Sequence, residues 1–350
     1  GVEKNTQLNV VQVDENGNIY IKKDQYGHEA YDYGLPSGYG YSRPFLSTGN
    51  PLGSNRYNDV KSGFNQINAS AFANVIFTDW LKLNVTSTVI YGISDYSNYQ
   101  NCFEGPKVGV NGELTKSNSS STRTNNVQTL MFNKSFGKHN VDAMFGHEYY
   151  TSKAGYLAAV AEGGFSPNIK EIYAFAYKKD ATSYIAQYNV EGWFGRAQYN
   201  YDDKYFGSFS YRRDASSRFA KENRWGNFWS VGAAWLVNKE SFFNLGWVDE
   251  LKVKASIGQQ GNDAIGDYAF TDLYVLSKAS NTLMSPTFYR KGNPEITWET
   301  TTNMNIGVEF SLLKRRITGS LDFYTKKTTD LLFWLSLPES QGNEILDKMR

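Results

Sequence analysis

Period-two alternation of side chains over residues 204–243 constrains the fold of this chain more than any other feature. Tyr205, Phe209 and Tyr211 share one face with a glycine, and mostly small and polar residues alternate with them. After a charged tip at residues 214–224, the return leg alternates in the same way. This is the spacing of a β-strand whose two faces meet different surroundings. The apolar face covers a core in a soluble sheet, whereas in a membrane barrel it faces lipid.

Similar segments follow one another in pairs from residue 66 onward, and they predict ten strands. The predicted strands lie at about 66–77, 81–93, 125–136, 140–152, 191–201, 204–213, 228–237, 251–257, 302–310 and 317–324. The facing of the segment 125–136 stays open, because its apolar residues do not alternate. A further small hairpin is predicted from residues 8–13 and 19–22, around Asn16-Gly17.

The connections between these strands alternate between short and long. Long polar stretches at 94–123, 153–190 and 259–296 are predicted as loops, and the Ser, Thr and Asn run 117–124 as solvated or mobile. Membrane barrels place short turns on the periplasmic side and long loops outside. The pattern therefore predicts an all-β fold, a transmembrane antiparallel up-and-down β-barrel, with a soluble β-sandwich or solenoid as the alternative.

Composition excludes several other classes of protein. The 350 residues are 40% hydrophobic and 16% aromatic, and no apolar run approaches the roughly 20 residues of a membrane helix. A net charge of +1 offers no field that would attract nucleic acid. The single cysteine, Cys102, cannot form an internal disulfide.

Several segments resemble the SusC/RagA type of TonB-dependent outer-membrane transporters of Bacteroidetes. The similar stretches are SYRRDASSRF and NRWGNFWSVGAAW, then LKVKASIGQQGNDAIGDYAF and GNPEITWETTTNMNIGVEF. The resemblance is strong over 190–340 and weaker before it. It implies a 22-strand barrel in the Gram-negative outer membrane, with the remaining strands and a plug outside this chain. It also implies contact with TonB through that plug, with a SusD-like surface lipoprotein and with outer-membrane lipid.

This resemblance assigns 1–65 to an extracellular loop region, 66–328 to barrel strands and loops, and 329–350 to an extracellular loop. The implied function is TonB-dependent import of a bulky nutrient, a glycan or a peptide. A siderophore-type receptor, a passive or structural barrel and a soluble carbohydrate-binding β-protein are the alternatives.

Catalytic and metal sites find little support in the residues. The three histidines are far apart in sequence, and neither a G-x-S-x-G elbow nor a Walker loop occurs. We therefore expect no enzyme activity, no cofactor and no metal.

Three sets of residues are candidates for other roles. Charges where one strand ends predict a strand-tip charge network of Arg212, Arg213, Asp214 and Arg218. Tryptophans near strand ends predict membrane-interface aromatics at Trp80, Trp225, Trp229, Trp235 and Trp247. Rings in connecting segments, which suit the flat faces of sugars, predict ligand or lid contacts at Tyr39, Tyr41, Tyr173, Phe175, Tyr177 and Trp334.

Overall fold

The computed structural model describes residues 11–13, 16–17, 19–21, 23, 27–29, 31, 50–103, 105–280, 283–336 and 344–349. Among these residues, three short hairpins and one α-helix lie outside the main sheet, as do 3-10 turns at Val108–Val110, Ile172–Ala174 and Val237–Lys239. The hairpins and the α-helix are β1 (Val11–Val13) with β2 (Ile19–Ile21), α1 (Pro51–Tyr57), β11 (Leu273–Lys278) with β12 (Met284–Arg290), and β15 (Leu331–Ser336) with β16 (Glu344–Met349). The β1–β2 pairing, with Gly17 at φ +80°, confirms the predicted hairpin within the described residues.

Ten strands form the main sheet. They are β3 (Asp59–Thr78), β4 (Leu81–Gln100), β5 (Glu113–Phe136), β6 (His139–Gly164), β7 (Phe175–Tyr201), β8 (Tyr205–Ser216), β9 (Trp225–Leu236), β10 (Val248–Asn262), β13 (Glu299–Leu312) and β14 (Ile317–Thr329). They lie side by side in chain order, with the β11–β12 hairpin as an excursion between β10 and β13. The ten predicted strands are confirmed. In the described part of the chain, the two end strands β3 and β14 do not pair with each other.

One face of the sheet is apolar and exposed. Phe209, Val231, Ile257 and Met304 form one cross-strand row in register. Their exposed fractions are 50%, 44%, 38% and 40%. A sandwich would bury such a row against a second sheet. The row is open to solvent, as expected for a face that contacts lipid.

The facing of β5, left open by the sequence, follows from its contacts. Asn125 donates to Glu148 and Asn133 to Asp142, so odd-numbered residues share the polar face. Phe132 contacts Trp80, which places even-numbered residues on the other face. The alternation is hidden in the sequence because Met131 lies on the polar face and Lys134 on the apolar one.

Several strands are longer than the sequence predicted. The run 117–124, expected to be a solvated loop, lies inside the 24-residue strand β5. Residues 153–164 continue β6, and β7 begins at Phe175, so much of the predicted loop 153–190 is strand. β3 begins at Asp59 rather than near residue 66. These extensions lack a regular alternation of polar and apolar residues, so the sequence pattern did not reveal them; backbone pairing needs no apolar face.

The alternation of connection lengths holds only in part. The β3–β4, β5–β6, β7–β8 and β13–β14 turns are short, as predicted. The β9–β10 connection, residues 237–247, lies at the short-turn end but is longer than the β8–β9 connection at 217–224. At the opposite end of the sheet, much of the predicted loops 94–123 and 153–190 is extended strand instead. Within the described ranges, no helix is long and apolar enough to cross a bilayer.

The chain divides into two compact units, each with a small apolar cluster. Residues 1–67, 91–122 and 154–186 form one unit, in which Tyr99, Leu114, Ala161 and Phe175 are buried together. Helix α1 begins in this unit, where the Asn50 side chain accepts hydrogen bonds from the Leu52 and Gly53 amides.

Residues 68–90, 123–153 and 187–350 form the second unit. Its buried cluster comprises Phe219, Phe228, Ala269, Ile296 and Trp298. Most of these residues come from connections, so the cluster packs segments that follow β8 and β10 against the sheet.

Candidate functional site

The polar face of the second unit carries a shallow recess floored by small side chains. Ser208, Gly232, Ser256 and Asn305 lie in register across four neighbouring strands. The recess has a volume of about 580 Å³, and Asn133, Asp142, Gln198 and Lys254 also line it. Hydroxyl, amide and charged groups lie in this recess beside apolar ones such as Phe206 and Ala234, so the recess can contact water or a polar solute.

A group of paired charges lies on the same face across β10, β13 and β14. The Lys254 ammonium contacts Glu309 at 2.6 Å and Asp322 at 3.1 Å. Lys252 contacts the same Glu309 at 3.1 Å. All four side chains keep about a third of their surface exposed. Such pairs contribute little to stability individually, but they leave this part of the polar face with balanced charge.

At the other end of β8, two of the four residues of the predicted strand-tip network, Arg212 and Asp214, pair around a buried carboxylate. Arg212 Nε lies 2.8 Å from each oxygen of Asp214, and its Nη2 lies 2.7 Å from Glu148. Asp214 is 7% exposed. Gly192 on β7 leaves the room these side chains need, because a Cβ there would overlap both of them. Arg212 thus contacts both oxygens of Asp214 within β8, and its single bond to Glu148 ties β8 to β6.

Arg218 joins a second cluster that fixes the connections after β8 and β10. Its Nη1 donates to the Asp263 carbonyl at 3.0 Å and its Nε to Asp267 at 3.2 Å. Ser216 and Tyr188 donate to the Asp263 carboxylate at 2.7 and 2.6 Å. The cluster thus holds the connection after β8 against the connection after β10.

Arg213 does not belong to the predicted network, and that assignment is wrong. Residues 212 and 214 share the polar face, so strand geometry turns Arg213 to the apolar face. There its guanidinium stacks on Trp225, 4.9 Å from the ring centroid. Among the described residues, Arg213 makes no ion pair.

The six predicted ligand or lid contacts have different environments. Tyr173 and Tyr177 are 79% and 74% exposed. Trp334 is 44% exposed and stacks with Arg290 at 4.5 Å. Phe175 is 1% exposed, so the prediction that this ring contacts a ligand is wrong. Tyr39 and Tyr41 lie outside the described residues.

The five predicted membrane-interface tryptophans lie at both ends of the strands. Trp80, Trp235 and Trp247 lie at the end of the sheet that carries the short turns. Trp225 and Trp229 lie on β9 toward the opposite end. Trp80 packs edge-on against Phe132, with the Lys134 ammonium 4.9 Å from its ring centroid. Tryptophan rings and the ammonium groups of lysines are both common at membrane–water interfaces.

Turns at the short-turn end carry their own charge pairs. Lys138 donates to Asp202 at 2.9 Å, which lowers the pKa of that carboxyl group. Glu240 accepts a hydrogen bond from the Tyr205 hydroxyl at 2.6 Å and one from the Trp235 indole at 3.2 Å. These bonds lower the pKa of Glu240, so both acids are favoured as carboxylates.

Sequence reasoning missed a third cluster, in the first unit. Lys107 contacts Glu113 at 2.6 Å, and Lys179 contacts Glu113 at 3.2 Å and Glu162 at 2.7 Å. Glu113, Glu162 and Lys179 are far apart in sequence, and the cluster carries no motif. The same is true of Glu148, Tyr188 and Asp263 in the tip clusters. The sequence contains no local signal for such pairs, because strand pairing alone brings them together.

In the described part of the chain, no group of three or more His, Cys, Asp or Glu side chains could hold a metal. His147 contacts Gln128 at 3.0 Å and Glu191 at 3.4 Å, and it packs against the Trp193 ring. His139 contacts the Tyr199 hydroxyl at 2.6 Å. Both histidines thus lie in ordinary strand-face contacts.

Comparison with known proteins identifies a family with the same β-barrel architecture. Residues 10–348 match the family described as "TonB dependent receptor-like, beta-barrel". The chain belongs to this family. Its ten-stranded sheet is therefore part of a TonB-dependent receptor barrel in the Gram-negative outer membrane, and its apolar face contacts lipid.

Two curated relatives in this family are about 30% identical to the chain. TonB-dependent receptor P3 of Formosa agariphila is 30% identical over 287 residues, which are 78% of this chain and 28% of the relative. TonB-dependent receptor SusC of Bacteroides thetaiotaomicron is 31% identical over 263 residues, or 72% and 25%. The chain thus spans about a quarter of the length of these relatives. By name they are receptors, not enzymes.

A solved transporter structure shares the fold. The structure of the RagAB peptide transporter matches with a TM-score of 0.81 at 23% identity. The match covers 88% of this chain and 35% of that chain. The ten strands therefore form one segment of a larger barrel.

Proposed function

We propose that this chain forms part of the barrel wall and mouth of an outer-membrane importer energised through TonB. The cargo is a bulky nutrient, a glycan or a peptide, taken up together with a SusD-like surface lipoprotein. Contact with TonB and movement of a plug belong to regions of such receptors beyond the matched segment. The chain itself has no catalytic role in this proposal.

The two-faced sheet within a TonB-dependent receptor barrel carries the proposal. Its apolar face meets lipid, so the face with Ser208, Ser256 and the Lys254–Glu309 pair points into the barrel interior. A polar, charge-balanced wall allows a large hydrated solute to pass without burying unpaired charge. The likeness to SusC and to RagAB, which is described as a peptide transporter, favours a polymeric nutrient.

Deletion of the full-length gene in its host tests the function. Growth on oligosaccharide or oligopeptide mixtures as the sole carbon source should fall, and the wild-type gene should restore it only in cells with functional TonB. Uptake that persists without TonB would indicate a passive barrel. A defect confined to iron-chelate uptake would indicate a siderophore receptor.

Isolation of the tagged full-length protein from outer membranes tests the partner. We expect a surface lipoprotein to co-purify in roughly equal amount. A preparation that imports nutrient but contains no lipoprotein would contradict this part of the proposal.

We also propose that the exposed rings Tyr173, Tyr177 and Trp334 contact the cargo or the lipoprotein, together with Tyr39 and Tyr41. The exposure of Tyr173, Tyr177 and Trp334 supports this role, since flat rings stack on sugar faces. The double variant Tyr173→Ala/Tyr177→Ala should weaken cargo binding about threefold to tenfold, while Tyr→Phe at both positions should retain it. Loss of lipoprotein co-purification with unchanged cargo binding would assign the rings to the partner. No change in either measurement would contradict the proposal.

The domain assignment and the tryptophan girdle belong to the same proposal. Residues before β3 and those from 329 onward are extracellular, with the boundary moved to Asp59 by the start of that strand. The five predicted tryptophans lie at the two membrane–water interfaces.

A further inference from the structure

The lipid-facing side of the sheet contains a groove between aromatic side chains. We call it the aromatic groove: Phe145, Trp193, Gly195, Phe209 and Tyr211, with Arg213 and Trp225 at one end. Its volume is about 640 Å³, within the range of small-molecule sites at about 300–1,000 Å³. The rings of Phe145, Trp193, Phe209 and Tyr211 are 40–56% exposed.

Strand register explains why a groove forms here. Gly195 pairs with Tyr211 and Ala197 with Phe209, so β7 contributes small residues beside two large rings of β8. Phe145 and Trp193, whose ring centroids are 5.9 Å apart, form the opposite wall. A Cβ at Gly195 would meet only ordinary van der Waals contacts, at 3.4 and 3.8 Å, so the missing side chain is not required by packing. The result is a narrow apolar channel on a surface that contacts acyl chains.

A cation without a carboxylate partner lies at one end of this groove. Arg213 is exposed, stacks on Trp225 and makes no ion pair within the described ranges. Glu191, on the same face, instead accepts from the Trp193 indole at 3.3 Å and contacts His147 at 3.4 Å. Arginine on the lipid face of a barrel is unfavourable near mid-membrane and nearly neutral at the interface. An anion from the lipid layer would complete its hydrogen bonding.

We propose that the aromatic groove binds one phosphorylated acyl lipid of the outer leaflet. An acyl chain lies along Gly195 between the rings, and Arg213 binds the lipid phosphate. Arg213 is near the end of β8 that leads into the connection 217–224, the side that faces outward in barrels of this type. The guanidinium fork matches phosphate geometry. Charge complementarity at the end of an apolar channel therefore selects an anionic lipid over a neutral one.

Native mass spectrometry of the detergent-solubilised full-length receptor tests this inference. The probes are bisphosphorylated lipid A and its dephosphorylated counterpart. We expect one equivalent of the phosphorylated form to bind, and Arg213→Gln to weaken binding about tenfold or more, as for loss of a charge-assisted hydrogen bond. Arg213→Lys keeps the charge but loses the guanidinium fork, so its affinity should lie between those of Arg213→Gln and the wild type. Gly195→Leu fills the channel and should also weaken binding.

The matched control is Arg196→Gln, one residue from Gly195 but on the polar face, where Arg196 contacts Asp142 at 3.6 Å. It should bind lipid A as the wild type does. Heat-dependent gel migration confirms that each variant has a folded barrel. Equal binding of the dephosphorylated lipid, unchanged binding by both Arg213→Gln and Gly195→Leu, or an equal loss in Arg196→Gln would overturn the proposal.

Discussion

Tyr173 and Phe175 lie two residues apart in one aromatic cluster, yet their environments are opposite. Tyr173 is 79% exposed, whereas Phe175 packs with Tyr99 and Leu114 at 1% exposure. The sequence shows only closely spaced rings in a polar stretch and contains no signal for which ring has a partner. Arg213 differs, because alternation along β8 already separates it from Arg212 and Asp214.

Truncation of Phe175 should destabilise the first unit strongly. Phe175→Ala removes a fully buried ring, and such changes typically cost about 3–5 kcal/mol. Limited proteolysis of the folded full-length protein should show faster cleavage within residues 91–122 and 154–186. Tyr173→Ala is the matched control and should be cleaved at the wild-type rate. Equal cleavage of the two variants would show that Phe175 does not support this cluster.

The Lys138–Asp202 pair should contribute stability that depends on pH. The lysine lowers the pKa of Asp202, so the contribution is present above the unfolded-state value of about 3.9 and is lost as pH falls through the lower folded-state pKa. The melting temperature of Asp202→Asn should therefore lie below that of the wild type near neutral pH, and this difference should shrink as pH falls below about 3.9. Asp203→Asn is the matched control, because Asp203 has no lysine partner among the described residues. A constant Asp202→Asn difference across this range would refute the assignment.

The alternation of polar and apolar residues predicted which segments form strands, but it placed the ends of several strands incorrectly. Rows such as Val253, Ala255 and Ile257 alternate because one face of β10 meets lipid. Beyond the membrane both faces of a strand meet water, so the run 117–124 in β5 has no alternation to detect. Likewise, the Arg212–Glu148 bond depends on pairing between distant strands. Local patterns therefore indicated where the membrane is crossed, but not how far the sheet continues or which charges meet.

Close packing of an aromatic ring over glycines joins β9 to β10. The Phe228 ring lies where a Cβ on Gly261 would be, and a Cβ on Gly226 would also overlap it. Gly261→Ala should therefore displace Phe228 and destabilise the barrel by about 1–3 kcal/mol. Gly207→Ala is the control, because nothing lies within 4 Å of the added atom. Denaturant midpoints of the full-length protein measure both. A similar midpoint for both variants would show that the ring moves aside easily.

For the whole molecule, the two ends of the sheet are the main consequence of its topology. β3 and β14 have 20 and 13 residues, and each pairs with one neighbour in the main sheet. A long strand with a free edge readily pairs with another chain. Further strands of the larger barrel satisfy these edges in family members.

Expression of residues 1–350 alone should therefore give associating species in detergent rather than a heat-modifiable monomer. Size-exclusion chromatography and unheated gels compare this segment with the full-length receptor, which should migrate as a compact barrel. A monodisperse, heat-modifiable segment would mean that these strands close on themselves.

The strands β5, β6 and β7 contain 24, 26 and 27 residues, although about 9–11 suffice to traverse a bilayer. Insertions and deletions can occur in the part of each strand that extends beyond the bilayer, but side chains alternate between the two faces, so the number of residues gained or lost matters. Deletion of one residue would move every side chain between the deletion and the next turn to the opposite face of the sheet. Deletion of two residues would leave each side chain on its original face. Insertions and deletions among homologues should therefore occur in even steps within these ribbons, and odd steps should be confined to their tips.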